Sequence, residues 1–303
     1  MNKPEVQILL STFNGEKYLP ELLASLNNQD YMQWSLLARD DGSTDRTQKI
    51  LDDFSRVRDA LILRGDNIGP TSSFLALIQN SAPDVDFLAL CDQDDIWKPH
   101  KLSRAVEKLN RLPQTVPAMY CSRLELVNCD LEPMGLSTLV RKRPAFENAL
   151  VENLATGSTM LLNRAARDLL LDKMPASAIM HDWWIYLTVS SLGSVIYDPC
   201  PSISYRLHDS NVVGQHKGAA LLFKRMQRFI SKTAKSPIVD QAEEFRDIYG
   251  HLLSQEKRRI LHLFVHGRKS AWTRLQACSR ANFYRQNSRD TLAAKCLYVL
   301  NRL

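Results

Sequence analysis

Three times before residue 87 the chain repeats one pattern: a short apolar run, a polar turn, then a stretch of helical period. The runs are Val6–Leu10, Trp34–Ala38 and Ala60–Leu63. The turns are Ser11-Thr12-Phe13-Asn14-Gly15, Arg39-Asp40-Asp41-Gly42-Ser43-Thr44-Asp45 and Gly65-Asp66-Asn67-Ile68-Gly69-Pro70. Leu19, Leu22, Leu23 and Leu26 mark the first helix, and Ile50, Leu51 and Phe54 mark a second over 45–55. A third is expected over about 71–81, before a fourth strand over 86–91. Such alternation implies an α/β fold with a parallel sheet and right-handed crossovers. Every polar turn then falls on the same edge of the sheet.

The fourth run, Phe87 to Cys91, lacks alternation and suits a strand covered on both faces. It breaks at once into Asp92-Gln93-Asp94-Asp95. In open α/β sheets ligands bind just beyond the carboxyl ends of the strands, so three carboxylates stand where a ligand is expected. If the chain stays extended, Asp92 and Asp94 project to one side. Two hard oxygen ligands there suit Mg²⁺ or Mn²⁺ beside a diphosphate. The plainer alternative is a solvated acidic turn with Asp95 capping the next helix. In the turn after the first run, Ser11 to Gly15, small polar residues and Gly leave backbone N–H and hydroxyl groups free for a nucleotide. Asp41 or Ser43 is expected to cap the helix of 45–55.

Further on, a helix over 100–111 precedes strands at Ala118–Ser122 and Glu125–Val127. Pro133 to Asn148, with Arg141-Lys142-Arg143, reads as a mobile loop or a connector. Leu154 to Asn163 reads as a strand introduced by Thr156-Gly157-Ser158. After a helix over 164–171 comes Met180-His181-Asp182-Trp183-Trp184. There Asp182 is either the N-cap of a helix over 183–192 or a proton acceptor. Ser194–Asp198 is another strand, and the polar run from Tyr205 to Gly214 follows. Helices are expected over about 238–266 and 269–300.

The 303 residues allow about two domains. No apolar run approaches the roughly 18 residues of a membrane span. The opening Met1-Asn-Lys-Pro-Glu-Val lacks the apolar segment of a secretory signal. Six scattered cysteines with no Cys-x-x-Cys pair argue against a zinc site or disulfide framework and fit a reducing cytoplasm. The net charge of +6 hides an asymmetry: 217–303 carries +12 and 1–216 carries −6. A basic tail suits nucleic acid, anionic lipid, an acidic partner or plain solvation. Within it Leu221, Leu222, Met226, Phe229 and Ile230 form an apolar face beside Lys224, Arg225, Arg228, Lys232 and Lys235. A basic amphipathic helix of this kind lies on an anionic membrane or packs on its own protein.

The order Ser11-Thr12-x-Asn14, Asp40-Asp41-Gly42-Ser43-x-Asp45, Asn67-x-Gly69, Asp92-x-Asp94 resembles glycosyltransferase family 2. The resemblance covers roughly 4–210 and does not extend clearly over 217–303. It implies the GT-A fold, a Rossmann-like, mostly parallel sheet flanked by helices, here with a C-terminal helical extension. Residues 1–216 would be the glycosyltransferase domain, with a nucleotide-sugar half (1–115) and an acceptor half (116–216). Residues 217–303 would be a basic helical region. The implied activity is metal-dependent transfer of a sugar, with inversion, from a nucleotide-diphosphate donor.

By the same resemblance Ser11, Thr12, Asn14, Glu16, Asp40, Asp41, Asn67, Gly69, Asp92, Gln93 and Asp94 would bind the donor. Asp94 and His208 would hold Mn²⁺ or Mg²⁺, and Asp182 would be the base. Trp97, Gly157 and Trp183 would meet the acceptor, near the 133–148 loop. One of Trp183 and Trp184 is expected on a sugar face and the other in the core. Family members often carry Glu before the base; here it is His181, whose role stays open. The run Arg206-x-His208-x-Ser210-Asn211-x-x-Gly214 looks like bacterial rhamnosyltransferases that build O-antigen and other surface polysaccharides. That implies dTDP-L-rhamnose as donor and a lipid-linked saccharide as acceptor, with a UDP-hexose or UDP-N-acetylhexosamine as the alternative donor. The Gln-x-x-Arg-Trp signature of processive synthases is absent from the sequence, so a single sugar is expected per cycle. The implied location is cytoplasmic, with peripheral contact to the inner face of the membrane through 217–235.

Two other classes fit less well. A nucleotidyltransferase needs a loop rich in Gly and Arg/Lys after its first strand, where this chain offers Lys17 as its nearest cation. A nucleic-acid-binding module leaves the acidic sites of 1–216 unexplained, so no nucleic-acid partner is expected.

Overall fold

The computed structural model describes residues 3–176, 178–208 and 236–303. The anticipated strands and helices form in order: β1 (Val6–Thr12), α1 (Leu19–Asn27), β2 (Trp34–Asp40), α2 (Thr47–Ser55), β3 (Ala60–Arg64), α3 (Gly69–Gln79) and β4 (Phe87–Asp92). The central strands run one or two residues further than their apolar cores, so Ser11, Thr12, Asp40 and Asp92 end inside the ladder. The chain continues through β5 (Ile96–Trp97), α4 (Lys101–Leu109), β6 (Ala118–Ser122), β7 (Glu125–Val127), β8 (Pro133–Leu136) and α5 (Phe146–Ala149). Then come β9 (Leu161–Asn163), α6 (Arg164–Asp172), α7 (His181–Leu192), β10 (Ser194–Asp198) and β11 (Ile203–Arg206). Four helices close the chain: α8 (Pro237–Tyr249), α9 (Gln255–His266), α10 (Ala271–Arg280) and α11 (Ser288–Val299).

The main sheet has seven strands in the order β10-β6-β9-β4-β1-β2-β3. Its pairings are parallel except that β9 runs antiparallel to β4 and β6. The register sets Ser11 beside Asp92 and Thr12 beside Asp40, so the polar strand ends meet along one edge. Side chains alternate between the two faces, as the pleat requires. Leu9, Leu37, Leu88 and Leu90 face one core, with Phe74 of α3 and Trp184 of α7. Ile8, Leu10, Leu36, Ala38 and Ala89 face the other, with leucines of α1 and α4. A sheet covered on both faces explains why β4 is apolar throughout.

A second sheet, β5-β11-β7-β8, lies beyond the carboxyl end of β4. Strand β11, not anticipated from sequence, pairs with β5 and β7 and carries Tyr205 and Arg206. The segment 133–148 is more ordered than a mobile loop: β8 pairs with β7, and the N–H groups of Arg141 and Lys142 donate to Gln286 Oε1 at 3.1 and 2.9 Å. The stretch 154–163 is a strand only from Leu161, because Gly157–Thr159 forms a 3₁₀ turn. The two long C-terminal helices are four. Ser254 caps α9 through the Lys257 N–H, and Asn287 caps α11 through the Arg289 N–H, each starting a helix where a continuous one was expected.

Residues 236–303 share a core with the preceding body. Phe245 of α8 lies with its ring centroid 5.9 Å from Trp184 and 6.0 Å from Phe146. Val239, Tyr249, Phe264 and Tyr298 belong to the same apolar cluster. The amphipathic stretch 217–235 lies outside the described residues.

Candidate active site

The turns after β1, β2 and β3 are sewn together by the acids that the sequence singled out. Asp40 is fully buried and accepts from Thr12 Oγ1 (3.1 Å), the Ser43 N–H (3.0 Å) and Gln48 Nε2 (2.8 Å). Asp41 pairs with Arg39 and accepts the N–H groups of Ile68 (3.1 Å) and Gly69 (2.9 Å). Neither Asp41 nor Ser43 caps α2; Asp45 Oδ1 instead accepts the Thr47 N–H at 3.0 Å. Asn67 Oδ1 also receives the Gly69 N–H at 3.1 Å, and Gly69 has φ of +79°, which a side chain would strain. Asn14 Oδ1 accepts the Thr44 N–H at 2.9 Å, and Glu16 Oε2 accepts the Arg46 N–H at 3.0 Å. Ser11 Oγ donates to Ser73 Oγ at 2.8 Å. These residues frame a rim in which Phe13, Asn14 and Glu16 stay exposed while Thr12, Asp40 and Asp41 are buried.

Gln93 links this rim to the acidic turn. Its carboxamide accepts the Phe13 N–H at 2.9 Å and donates to the Phe13 carbonyl at 3.0 Å. A Cβ on Gly15 would collide with that carboxamide, so a side chain there would displace Gln93 from Phe13. The backbone turns at Gln93 and Asp94, so Asp92 and Asp94 are not set by an extended chain. Their charges still meet. Burial, then the charges of Asp94 and Asp182, push the Asp92 carboxyl up to about 8. Asp95 is fully buried and accepts the Arg206 N–H at 3.3 Å; burial and the Asp94 and Asp92 charges hold it well above the usual carboxylate range.

His208 Nε2 lies 2.8 Å from Asp94 Oδ2, across 114 residues of sequence. The imidazole stacks on Tyr18, centroids 5.1 Å apart, and the Arg206 guanidinium lies 4.5 Å from the same ring. Arg206 in turn donates to the carbonyls of Asp94 (3.0 Å) and Cys129 (2.6 Å) and pairs with Glu21. Among the described residues no group of three or more His, Cys, Asp or Glu side chains is arranged to hold a metal alone. The Asp94–His208 pair nevertheless brings a hard oxygen and an imidazole nitrogen together beside mutually repelling carboxylates. That donor set fits Mn²⁺.

Asp182 lies in the first turn of α7; the N-cap is Met180, which makes no side-chain cap. Asp182 Oδ1 accepts the Trp183 N–H at 2.7 Å and Oδ2 accepts the Gly157 N–H at 3.2 Å. Burial pushes its carboxyl up to about 6, against the lowering effect of those two N–H groups and of Asn153. His181 is buried and stacked on Phe74, centroids 4.0 Å apart, and burial pushes its pKa down to about 3. It is therefore neutral near pH 7, and a Cβ on Gly157 would approach its Nε2 to 2.8 Å.

The tryptophans separate cleanly. Trp184 is fully buried against Phe245 and Tyr249. Trp183 is partly exposed, and its Nε1 donates to the Ala149 carbonyl at 2.7 Å. Trp97, expected at the acceptor, is 2% exposed and packs in the core under Lys101, whose Nζ is 4.1 Å from its ring. A tryptophan directly after the acidic turn signals the acceptor only if it points outward, and β5 turns it in. Sequence reasoning missed Tyr205, whose phenol is pushed up by burial and by the charges of Asp95, Asp92, Asp94 and Asp182. It also missed Tyr18 and Arg206 as the support of His208. Strand β11, only four residues long, gave no periodic signal.

The family model for Glycosyl transferase family 2 matches residues 7–169. A dTDP-rhamnosyl transferase of Shigella flexneri is 25% identical over 257 residues, covering 78% of this chain and 85% of that one. An Escherichia coli UDP-Glc:alpha-D-GlcNAc-diphosphoundecaprenol beta-1,3-glucosyltransferase is 25% identical over 211 residues, covering 68% and 79%. A mannosyltransferase of Pyrobaculum calidifontis, solved with GDP-Man and Mn²⁺, superposes with a TM-score of 0.54 at 15% identity, covering 100% of this chain and 85% of that one.

Proposed function

The chain belongs to glycosyltransferase family 2 and has the GT-A fold, and from that premise we propose that it transfers a single sugar, with inversion, from a nucleotide-diphosphate donor to a saccharide of a bacterial surface polysaccharide. The observation that carries the reading is the convergence of Asp182, Asp92, Asp94 and His208 at the carboxyl end of β4. An attacking hydroxyl must lose its proton as the new bond forms. A carboxylate raised to about 6 is largely ionised at pH 7 yet basic enough to take that proton. The N–H groups of Gly157 and Trp183 hold it in place. Inversion needs the hydroxyl and the leaving diphosphate on opposite sides of the anomeric carbon, and Asp182 and Asp94 would serve the two sides.

The rim of Ser11, Thr12, Asn14, Glu16, Asp40, Asp41, Asn67 and Gly69 would shape the nucleotide pocket, with Asp40 and Asp41 acting through the backbone they hold. Gln93 and Asp92 would form its floor, and Gly157 and Trp183 would border the acceptor. Asp94 and His208 would hold Mn²⁺ or Mg²⁺, which when bound neutralises charge on the diphosphate.

For the donor sugar, the Shigella flexneri relative and the Arg206-x-His208 run support dTDP-L-rhamnose. A UDP-hexose is the second reading, supported by the Escherichia coli relative. That relative's name also supports a lipid-diphosphate-linked acceptor. Among the described residues no helix is long and apolar enough to cross a membrane, and peripheral contact from the cytoplasmic side would bring the enzyme to such an acceptor. The test is a panel of nucleotide sugars with Mn²⁺, read by thermal stabilisation and by release of nucleoside diphosphate. We expect dTDP-L-rhamnose to give the largest response. Stabilisation by a UDP-hexose alone would replace the donor, and no response to any nucleotide sugar would overturn the reading.

A further inference from the structure

The last 37 residues, 267–303, hold eight Lys and Arg against one Asp, a net of +7. They form α10 and α11, which run antiparallel side by side. Arg274 Nε donates to the Val299 carbonyl at 2.8 Å, and Lys295 Nζ donates to the Cys278 carbonyl at 2.8 Å. Residues 274 and 278 thus face 295 and 299. In a right-handed helix the next residue lies about 100° further round. Because the helices are antiparallel, that step carries both to the same side of the pair. Leu275 on one helix and Cys296 and Leu300 on the other therefore share an outer face. Trp272, three before Leu275, and Leu292, four before Cys296, extend it.

This face is open. Trp272 is 68% exposed, Leu275 50%, Leu292 66% and Leu300 66%, whereas Ala277, Ala281, Ala294 and Tyr298 on the inner side are buried. Lys269, Arg280, Arg289 and Arg302 are exposed beside it. Contiguous exposed apolar side chains mark an interaction surface. The charge selects the occupant. A two-fold pairing with a second copy would set +7 against +7. An anionic lipid surface offers opposite charge to the cations and an apolar boundary to Trp272 and the leucines.

We propose that the outer face of α10 and α11 is a membrane-docking surface for anionic phospholipid. It lies on residues other than 217–235 and is independent of the transfer reaction, since binding is measured without donor or acceptor. The full chain floats with vesicles of phosphatidylglycerol and phosphatidylethanolamine, and the bound fraction falls with added salt. No binding, or equal binding to phosphatidylcholine vesicles, overturns the proposal. Trp272→Ser with Leu292→Ser, at exposed positions, keeps the wild-type melting temperature and weakens binding by about tenfold or more. Wild-type binding by that variant overturns it. Trp272→Phe preserves the apolar face and provides a second readout. Quenching of tryptophan fluorescence by brominated lipid is strong in the wild type and largely lost in Trp272→Phe. Equal quenching in the two shows that another surface docks. Sedimentation without lipid shows a monomer; a dimer that Leu292→Ser dissociates assigns the face to a second copy and overturns the proposal.

Discussion

Asp182 combines burial, two backbone N–H donors and neighbouring carboxylates, and its two suggested roles make different demands. The amide oxygen of an asparagine there would still accept an N–H, but a neutral amide takes up no proton. Asp182→Asn should therefore fold, bind nucleotide normally and lose about 10²–10⁴ in transfer rate. Retention of most activity would move the base elsewhere, and not to His181, whose pKa burial pushes down to about 3, too low for a useful proton acceptor. The pH dependence has a definite sign. The folded value, about 6, lies above the ordinary carboxylate value, so the native state favours the protonated acid. Its contribution to stability is present below the unfolded value and is lost as pH rises through about 6. Activity moves the other way, with kcat/KM rising through about pH 6 to a plateau. The asparagine variant should melt at or above the wild-type temperature near neutral pH, with the gap closing below the ordinary carboxylate range. For the metal, Asp94→Ala should remove the Mn²⁺-dependent part of donor binding in calorimetry, and His208→Ala should weaken it less. An unchanged metal dependence in Asp94→Ala would sink the assignment.

At the scale of elements, the acidic turn after β4 is fastened to the turn after β1 by one carboxamide. Gln93→Ala removes two hydrogen bonds to Phe13, worth about 1–3 kcal/mol together. Gly15→Ala pushes the same carboxamide away, so it should cost a similar amount. The double variant should then be little worse than either single one, because both act on one fastening. Chemical denaturation of the four proteins measures this, and simple additivity would show that Gly15 matters for another reason. Donor KM should rise in all three variants.

At the scale of the whole molecule, the C-terminal helices and the sheet share a core through Phe245, Trp184 and Phe146. Phe245→Ala leaves a cavity at that junction and should cost about 3–5 kcal/mol. Calorimetry should show one transition shifted down as a unit. A second transition in the variant, with the sheet melting at its original temperature, would mean that 236–303 folds on its own.

The sequence alone determined the parallel sheet and which edge of it carries the acids, because alternation of strand and helix and the identity of turn residues are local properties. Ser11, Thr12, Asp40 and Asp92 stand at the strand ends because polar residues interrupt apolar runs there. Which tryptophan faces inward was not legible: α7 is buried almost all round, so its hydrophobic period carries no contrast. Nor was β11, whose four residues form a strand only because β5 and β7 lie on either side. Tertiary structure alone set His208 against Asp94 and Asp182 against the Gly157 N–H, contacts that no spacing along the chain encodes. It also set the proton affinity of Asp182, since desolvation depends on everything packed around a group and not on its neighbours in sequence.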